Sequence, residues 1–133
     1  MIATHADINA LPFTVSPSVS DLVFHAEENG ACWLEFVAWY QTEKKYEIVR
    51  FTIQRLIGAR MGGVGGEAGA VGVGEVKNSL WLEEINAHQL KHYPSYPDNF
   101  KQVRHYFVVG HDDKIEFLSE GFTCQTIREL PNW

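Results

Sequence analysis

From Val103 to Ile127, aromatic and β-branched residues crowd two arms around a short polar break, a pattern that reads as a β-hairpin. The first arm is Val103-Arg-His-Tyr-Phe-Val-Val-Gly110, the second begins Ile115-Glu-Phe-Leu118, and His111-Asp-Asp-Lys114 separates them. Paired aspartates favour a turn because their side chains bond to nearby backbone. With Asp112 and Asp113 as the loop residues, Val108 faces Phe117, Phe107 faces Leu118 and His105 faces Glu120. The second arm resumes as Phe122–Ile127 after a bulge at 119–121. His105, His111, Asp112, Asp113, Glu116 and Glu120 all fall on this hairpin, so a site is expected there.

The earlier half of the chain carries the same period. Asp21–Glu28 and Ala31–Tyr40 flank Asn29-Gly30, a dipeptide suited to a type I′ turn. That register pairs Ala26 with Trp33, Phe24 with Glu35 and Leu22 with Val37, with Val23 opposite Phe36 and His25 opposite Leu34. A helix running from a Ser20 N-cap to Gly30 is the rival, but Val23 and Phe24 are β-formers. After the polar turn Gln-Thr-Glu-Lys-Lys45, Tyr46–Ile57 alternates apolar and mixed positions and closes a three-stranded meander. Phe13-Thr-Val15 can add a short edge strand beside its prolines.

The composition then changes abruptly, with eight glycines in the 17 residues Gly58–Gly74. Such a stretch is costly to order, so residues 58–77 are expected to form a mobile loop. One helix follows. Asn78 or Ser79 caps it, Glu83 and Glu84 sit where the helix dipole favours anions, and Pro94 ends it. Trp81, Leu82, Ile85 and His88 share its apolar side. The expected fold is one domain over 1–133, α+β and β-dominant. Its antiparallel five- or six-stranded sheet is curled, or a partly open barrel, with the short helix inserted between strands three and four.

Bulk properties narrow the function. Seventeen carboxylates against 11 Lys and Arg give a net charge of −6, and the cations are scattered, which argues against a phosphate-neutralising surface and hence against nucleic acid. No apolar run approaches the ~20 residues of a membrane span, and the N-terminus lacks a basic and apolar leader pattern. Cys32 and Cys124 stand in no metal-type spacing and suit a reduced, cytoplasmic setting.

Four patterns could carry chemistry. Gly63-Val-Gly65-Gly-Glu-Ala68 fits G-x-G-x-x-A, but no strand-to-helix junction surrounds it to place a pyrophosphate on a helix N-terminus. His88 and His92 stand at i and i+4, a metal-ligand spacing that His105, His111 and Asp112 could complete. The bland reading of His88 is a half-buried histidine beside the Trp81 stripe. His105 opposite Glu120 resembles a base with its orienting carboxylate, yet without a nucleophile it reads more simply as a cross-strand pair. Lastly, strands 31–40 and 46–57 are apolar on both sides, so either both faces are covered or one binds a ligand or protein.

The expected function is a small cytoplasmic binding or regulatory domain with no catalytic chemistry of its own and no cofactor. It would act through an aromatic sheet face or barrel mouth, with Trp33, Trp39, Trp81, Tyr106, His105 and His111 as ligand-binding residues. The partner would be a protein or small apolar ligand, or a second copy through a sheet face. The alternative is a metal-dependent hydrolase built on His88, His92, His105, His111 and Asp112.

Overall fold

The computed structural model describes residues 2–3, 8, 11–16, 22–62, 72–110 and 113–131. In chain order the elements are β1 (Ile2–Ala3), β2 (Thr14–Val15), β3 (Val23–Ala26), β4 (Cys32–Tyr40), β5 (Lys45–Gln54), β6 (Gly58–Gly62) and β7 (Gly72–Glu75). They continue with α1 (Leu80–His92), β8 (Arg104–Val109), β9 (Lys114–Ser119) and β10 (Gly121–Leu130). A six-stranded antiparallel sheet has the order β1-β10-β5-β4-β2, with β3 on the same edge of β4 as β2. A four-stranded antiparallel sheet, β6-β9-β8-β7, lies behind it. The fold is α+β and β-dominant, its curled sheets not closed into a barrel.

Period-two alternation builds the core between the sheets. β4 turns Cys32, Leu34, Phe36 and Ala38 inward, and β5 adds Val49, Phe51 and Ile53. The second sheet answers with Tyr106, Val108, Ile115 and Phe117. Phe51 stacks on Phe122 at 4.3 Å, and Tyr106 meets Phe122 edge-on at 5.4 Å. Each of these fully buried aromatic side chains contributes on the order of 2–3 kcal/mol.

The two sheets share one bent ribbon. β5 pairs with β10 in the first sheet, and their continuations β6 and β9 pair in the second. The ribbon turns its corner at Arg55 (φ +50°) and Gly121 (φ +147°). Across the corner, Glu120 N donates to Gln54 O, Ile57 N donates to Leu118 O, and Arg55 Nη1 lies 3.1 Å from Glu120 Oε2. The irregularity expected at 119–121 is therefore this corner, where Ser119 Oγ also bonds to Gly121 N and O. It also explains why β5 stops at Gln54 rather than Ile57.

Both expected hairpin registers are corrected. In the first, β3 pairs with β4 as Val23↔Glu35, Phe24↔Leu34, His25↔Trp33 and Ala26↔Cys32, one residue away from the expected pairing. Gly30 N donates to Glu27 O and Gly30 takes φ +91°, while Asn29 does not take positive φ. The loop is thus a three-residue turn ending in a left-handed glycine rather than a two-residue type I′ turn. Strand β3, not a helix, occupies 23–26. In the second hairpin, Val108↔Ile115, Phe107↔Glu116 and His105↔Leu118 replace the expected partners, and Gly110 N donates to Asp113 O. That offset is two residues, so every side chain keeps its expected face.

The loop expected over 58–77 is corrected at both ends. Gly58–Gly62 pairs with β9 and Gly72–Glu75 with β8, so this stretch supplies both edge strands of the second sheet. Residues 63–71, with the G-x-G-x-x-A motif, lie outside the described residues. α1 starts where its cap predicts: Ser79 Oγ accepts from Leu82 N at 3.0 Å. The helix covers the back of the second sheet, its Trp81 ring edge-on to His105 at 5.3 Å. A Cβ on Gly58 would stand 3.1 Å from that indole, so the bare backbone there lets Trp81 settle.

Candidate functional site

On the helix-facing side of the second sheet, β8 and β9 bring His105 and Glu116 together as diagonal neighbours, because Leu118 stands directly opposite His105. His105 Nε2 lies 2.9 Å from Glu116 Oε1, and Ser79 Oγ at the helix cap lies 2.6 Å from His105 Nδ1. Arg60 on β6, paired with Glu116 across the strands, donates from Nε to Oε2 at 3.0 Å and from Nη2 to Oε1 at 3.2 Å. The same guanidinium stacks over Trp81 at 4.3 Å. Relative exposures are 0% for His105, 2% for Glu116 and 5% for Ser79, whereas the Arg60 side chain is 42% exposed.

Burial pushes the Glu116 carboxyl up, but hydrogen bonds from Arg60 and His105 outweigh it and hold the group below its ordinary value. A donor at His105 Nε2 suits the ionised Glu116, and the Ser79 hydroxyl meets the other ring nitrogen, Nδ1. The Ser79 oxygen in turn accepts from Leu82 N. Serine, imidazole and carboxylate thus stand in the order of a hydrolytic relay. The serine also caps a helix, however, and both imidazole nitrogens already have partners. One polar chain thereby ties α1 to three strands.

Beside this network a cleft of about 270 Å³ opens between the start of α1 and strands β7 and β8. Glu75, Lys77, Ser79, Leu82, Asn86 and Arg104 are among its lining residues. A second cavity of about 360 Å³ adjoins it and shares Leu82, Asn86 and Arg104. Glu75 Oε1 is buried without a hydrogen-bond partner; Lys77 Nζ lies 3.2 Å away in an ion pair whose geometry is not that of a hydrogen bond.

A different surface forms on the outer side of the six-stranded sheet. Because the core takes the even positions of β4, the odd ones, Trp33, Glu35, Val37 and Trp39, face away from it and are half-buried. Their cross-strand partners on β5 are Thr52, Arg50, Ile48 and Tyr46. His25 stacks on Trp33 at 4.8 Å, and the Arg50 guanidinium lies 4.6 Å from the same indole. Arg50 Nε donates to Glu35 Oε2 at 2.8 Å, and Trp39 leans on Tyr46 at 4.6 Å. The helix lies behind the other sheet, so no described layer covers this interlocked face.

The expected ligand-binding residues therefore separate. Trp33 and Trp39 share the outer face; Trp81 and His105 belong to the helix anchor. Tyr106 is corrected to a core residue, fully buried against Phe117 and Phe122 with its hydroxyl pKa raised by burial. His111 and Asp112 lie outside the described residues. His88 and His92 are exposed, their rings 4.3 Å apart, and both belong to the helix rather than to the buried network. Among the described residues no group of three or more His, Cys, Asp or Glu is gathered to hold a metal ion. The sequence reading passed over Arg60, which sits in the glycine-rich stretch, and Glu75, whose buried oxygen has no local signature. Ser79 was legible only as a cap. No protein-family model, curated protein or solved structure matches the chain.

Proposed function

We propose that the chain is a protein-binding module without catalytic chemistry of its own, which engages its partner through the outer face of the six-stranded sheet. The observation that carries this reading is the locked layer His25–Trp33–Arg50–Glu35 with Trp39 on Tyr46. Trp, Tyr and Arg are the residue types that dominate binding energy at protein interfaces. Here their rotamers are held before any partner arrives, so little side-chain freedom remains to be lost on docking. Both faces of Trp33 are already occupied, which suits a broad flat partner better than a small ligand that must stack on an open ring. Strands of nine and ten residues, four abreast, offer about 500–600 Å² per partner, near the lower end of specific interfaces and below obligate dimers. A transient partner is therefore favoured over a permanent second copy. The chain's net charge of −6 steers a basic partner toward it.

A photo-cross-linking residue at Ile48 in the full chain, expressed in its own cells, tests this. One discrete adduct with another protein is expected, abolished by Trp39→Arg and absent when the cross-linker stands at Glu84 on α1. An adduct of twice the chain's mass would assign the face to self-association instead. No adduct at Ile48 would sink the proposal.

A further inference from the structure

We propose that the cavity at the C-terminal end of α1 binds a proline-rich segment of a partner protein, held in the polyproline II conformation. The site stands apart from the outer sheet face and depends on none of its residues.

The lining follows from backbone spacing. Gln89, Tyr93, Tyr96 and Asn99 line a cavity of about 310 Å³. Tyr93 stands one helical turn beyond Gln89, and its N donates to Gln89 O as the closing bond of α1. The chain then continues in steps of three: Tyr96 N donates to Tyr93 O at 3.0 Å, and Asn99 N to Tyr96 O at 3.2 Å. Side chains three apart in such turns lie one above another, so two rings and two carboxamides form one row. Pro94 and Pro97 follow the two tyrosines and fix the backbone beside each, which leaves little freedom to lose on docking.

The observation that points to a ligand is Gln89. It is 7% exposed, yet among the described residues its carboxamide makes no hydrogen bond. A buried amide without a protein partner takes its hydrogen bonds from whatever fills the cavity it lines. Beside it the Tyr93 and Tyr96 side chains are exposed, at 56% and 66%, and offer flat apolar surface to the same occupant.

The polar groups select the ligand class. Arg55 Nη1 donates to Asn99 O at 2.6 Å and Nη2 to Asn99 Oδ1 at 2.9 Å. A guanidinium only donates, so the side-chain oxygen of Asn99 is spent and its NH₂ is what remains to offer. The Gln89 NH₂ and the two tyrosine hydroxyls add further donors, and no charged side chain lines the cavity among the described residues. Aromatic rings interleaved with neutral donors fit an apolar ligand that carries acceptors and no protons. A proline run is such a ligand. Its rings pack on aromatic faces, it lacks N–H groups, and its carbonyls make no internal hydrogen bonds in the polyproline II helix. A sugar brings a donor with every hydroxyl and would find few acceptors here.

NMR titration of the full chain with blocked hexaproline, a blocked Gly-Ser hexapeptide and methyl glucoside tests the proposal. Hexaproline should shift the side-chain amide signals of Gln89 and Asn99 saturably, and the Gly-Ser peptide should bind at least tenfold more weakly. Methyl glucoside should leave both signals unmoved. Tyr96→Ala, a change at an exposed position outside the helix, should weaken hexaproline binding at least tenfold. The proposal is overturned if hexaproline gives no saturable shift, if the Gly-Ser peptide binds equally well, if the glucoside binds more tightly, or if Tyr96→Ala keeps full affinity. Shifts confined to the indole N–H signals of Trp33 and Trp39 would place the peptide on the outer sheet face and overturn it as well.

Discussion

Glu116 carries its charge at a position 2% exposed, and what makes that tolerable is the pair of donors it has recruited, Arg60 and His105. Glu116→Gln should therefore cost about 2 kcal/mol, the scale of a buried hydrogen bond to a charged group. Its folded pKa is lowered from the ordinary 4.5, so its stabilisation is complete above that value and is lost as pH falls through the folded pKa. Thermal melts from pH 7 to pH 3 should show a shallower acid decline in Glu116→Gln. Glu47 keeps part of the slope: burial raises its pKa too, but Tyr40, Lys45 and Thr126 together hold it low. Ser79→Ala should cost about 2–3 kcal/mol, since it removes the helix cap and the hydroxyl that lies 2.6 Å from buried His105 Nδ1. A loss of 1 kcal/mol or less in urea unfolding would mean that the serine is only a cap. That His105 would find a carboxylate was legible in its strand; which carboxylate was not. Closing the hairpin with Gly110 opposite Asp113 moves the register by two residues, which preserves the face, sets Leu118 opposite His105 and leaves Glu116 as its diagonal neighbour. Glu120 instead pairs with Arg55 at the corner.

Among the elements, glycine proved hardest to read, because it has no side chain to show a period. Eight glycines in 17 residues obscured two strands whose partners lie far along the chain, so only tertiary pairing identifies them as strands. Gly74 shows the compensating contact. A Cβ there would stand 2.5 Å from the Phe107 ring, so the aromatic side chain of β8 lies across the bare backbone of β7. Gly74→Ala should then destabilise by about 1–3 kcal/mol, and Phe107→Leu in the same chain should return part of the loss, a coupling that a double-mutant cycle measures. Gly30 needs its left-handed φ instead, and no atom stands within 4 Å of a Cβ built there. Gly30→Val should cost about 1–2 kcal/mol through backbone strain alone, read as a lowered melting temperature. Its turn was recognisable from Asn29-Gly30, while its loop length was not. One extra loop residue moved Val23 and His25 onto the outer face beside Trp33. The ends of the helix were legible, since capping chemistry and the proline stop are local signals, but its buried side was not: Gln89 is buried, whereas His88, expected beside the Trp81 stripe, is exposed.

For the whole molecule, the β-dominant class was legible from alternation, whereas the division into two sheets was not. That division depends on the corner at Arg55 and Gly121, where the chain bends without a break in its pairing. Because one ribbon runs through both sheets, they should acquire hydrogen-exchange protection in the same refolding phase. Pulse labelling would check this through the amides of β5 and β9, and two well-separated phases would mean that the sheets fold independently. Pairings such as Ile2 with Thr123 and Gly58 with Leu118 join distant parts of the chain, which places refolding in about the millisecond-to-second range. The same ribbon bears on how the protein is made. β10 lies inside its sheet, between β1 and β5, yet it follows both in order of synthesis. While the ribosome still holds its residues, β5 presents an unsatisfied backbone edge and the Phe51 ring awaits Phe122. A nascent chain paused at that point is open to strand exchange with its neighbours on the same message, a hazard that ends once the tunnel releases β10.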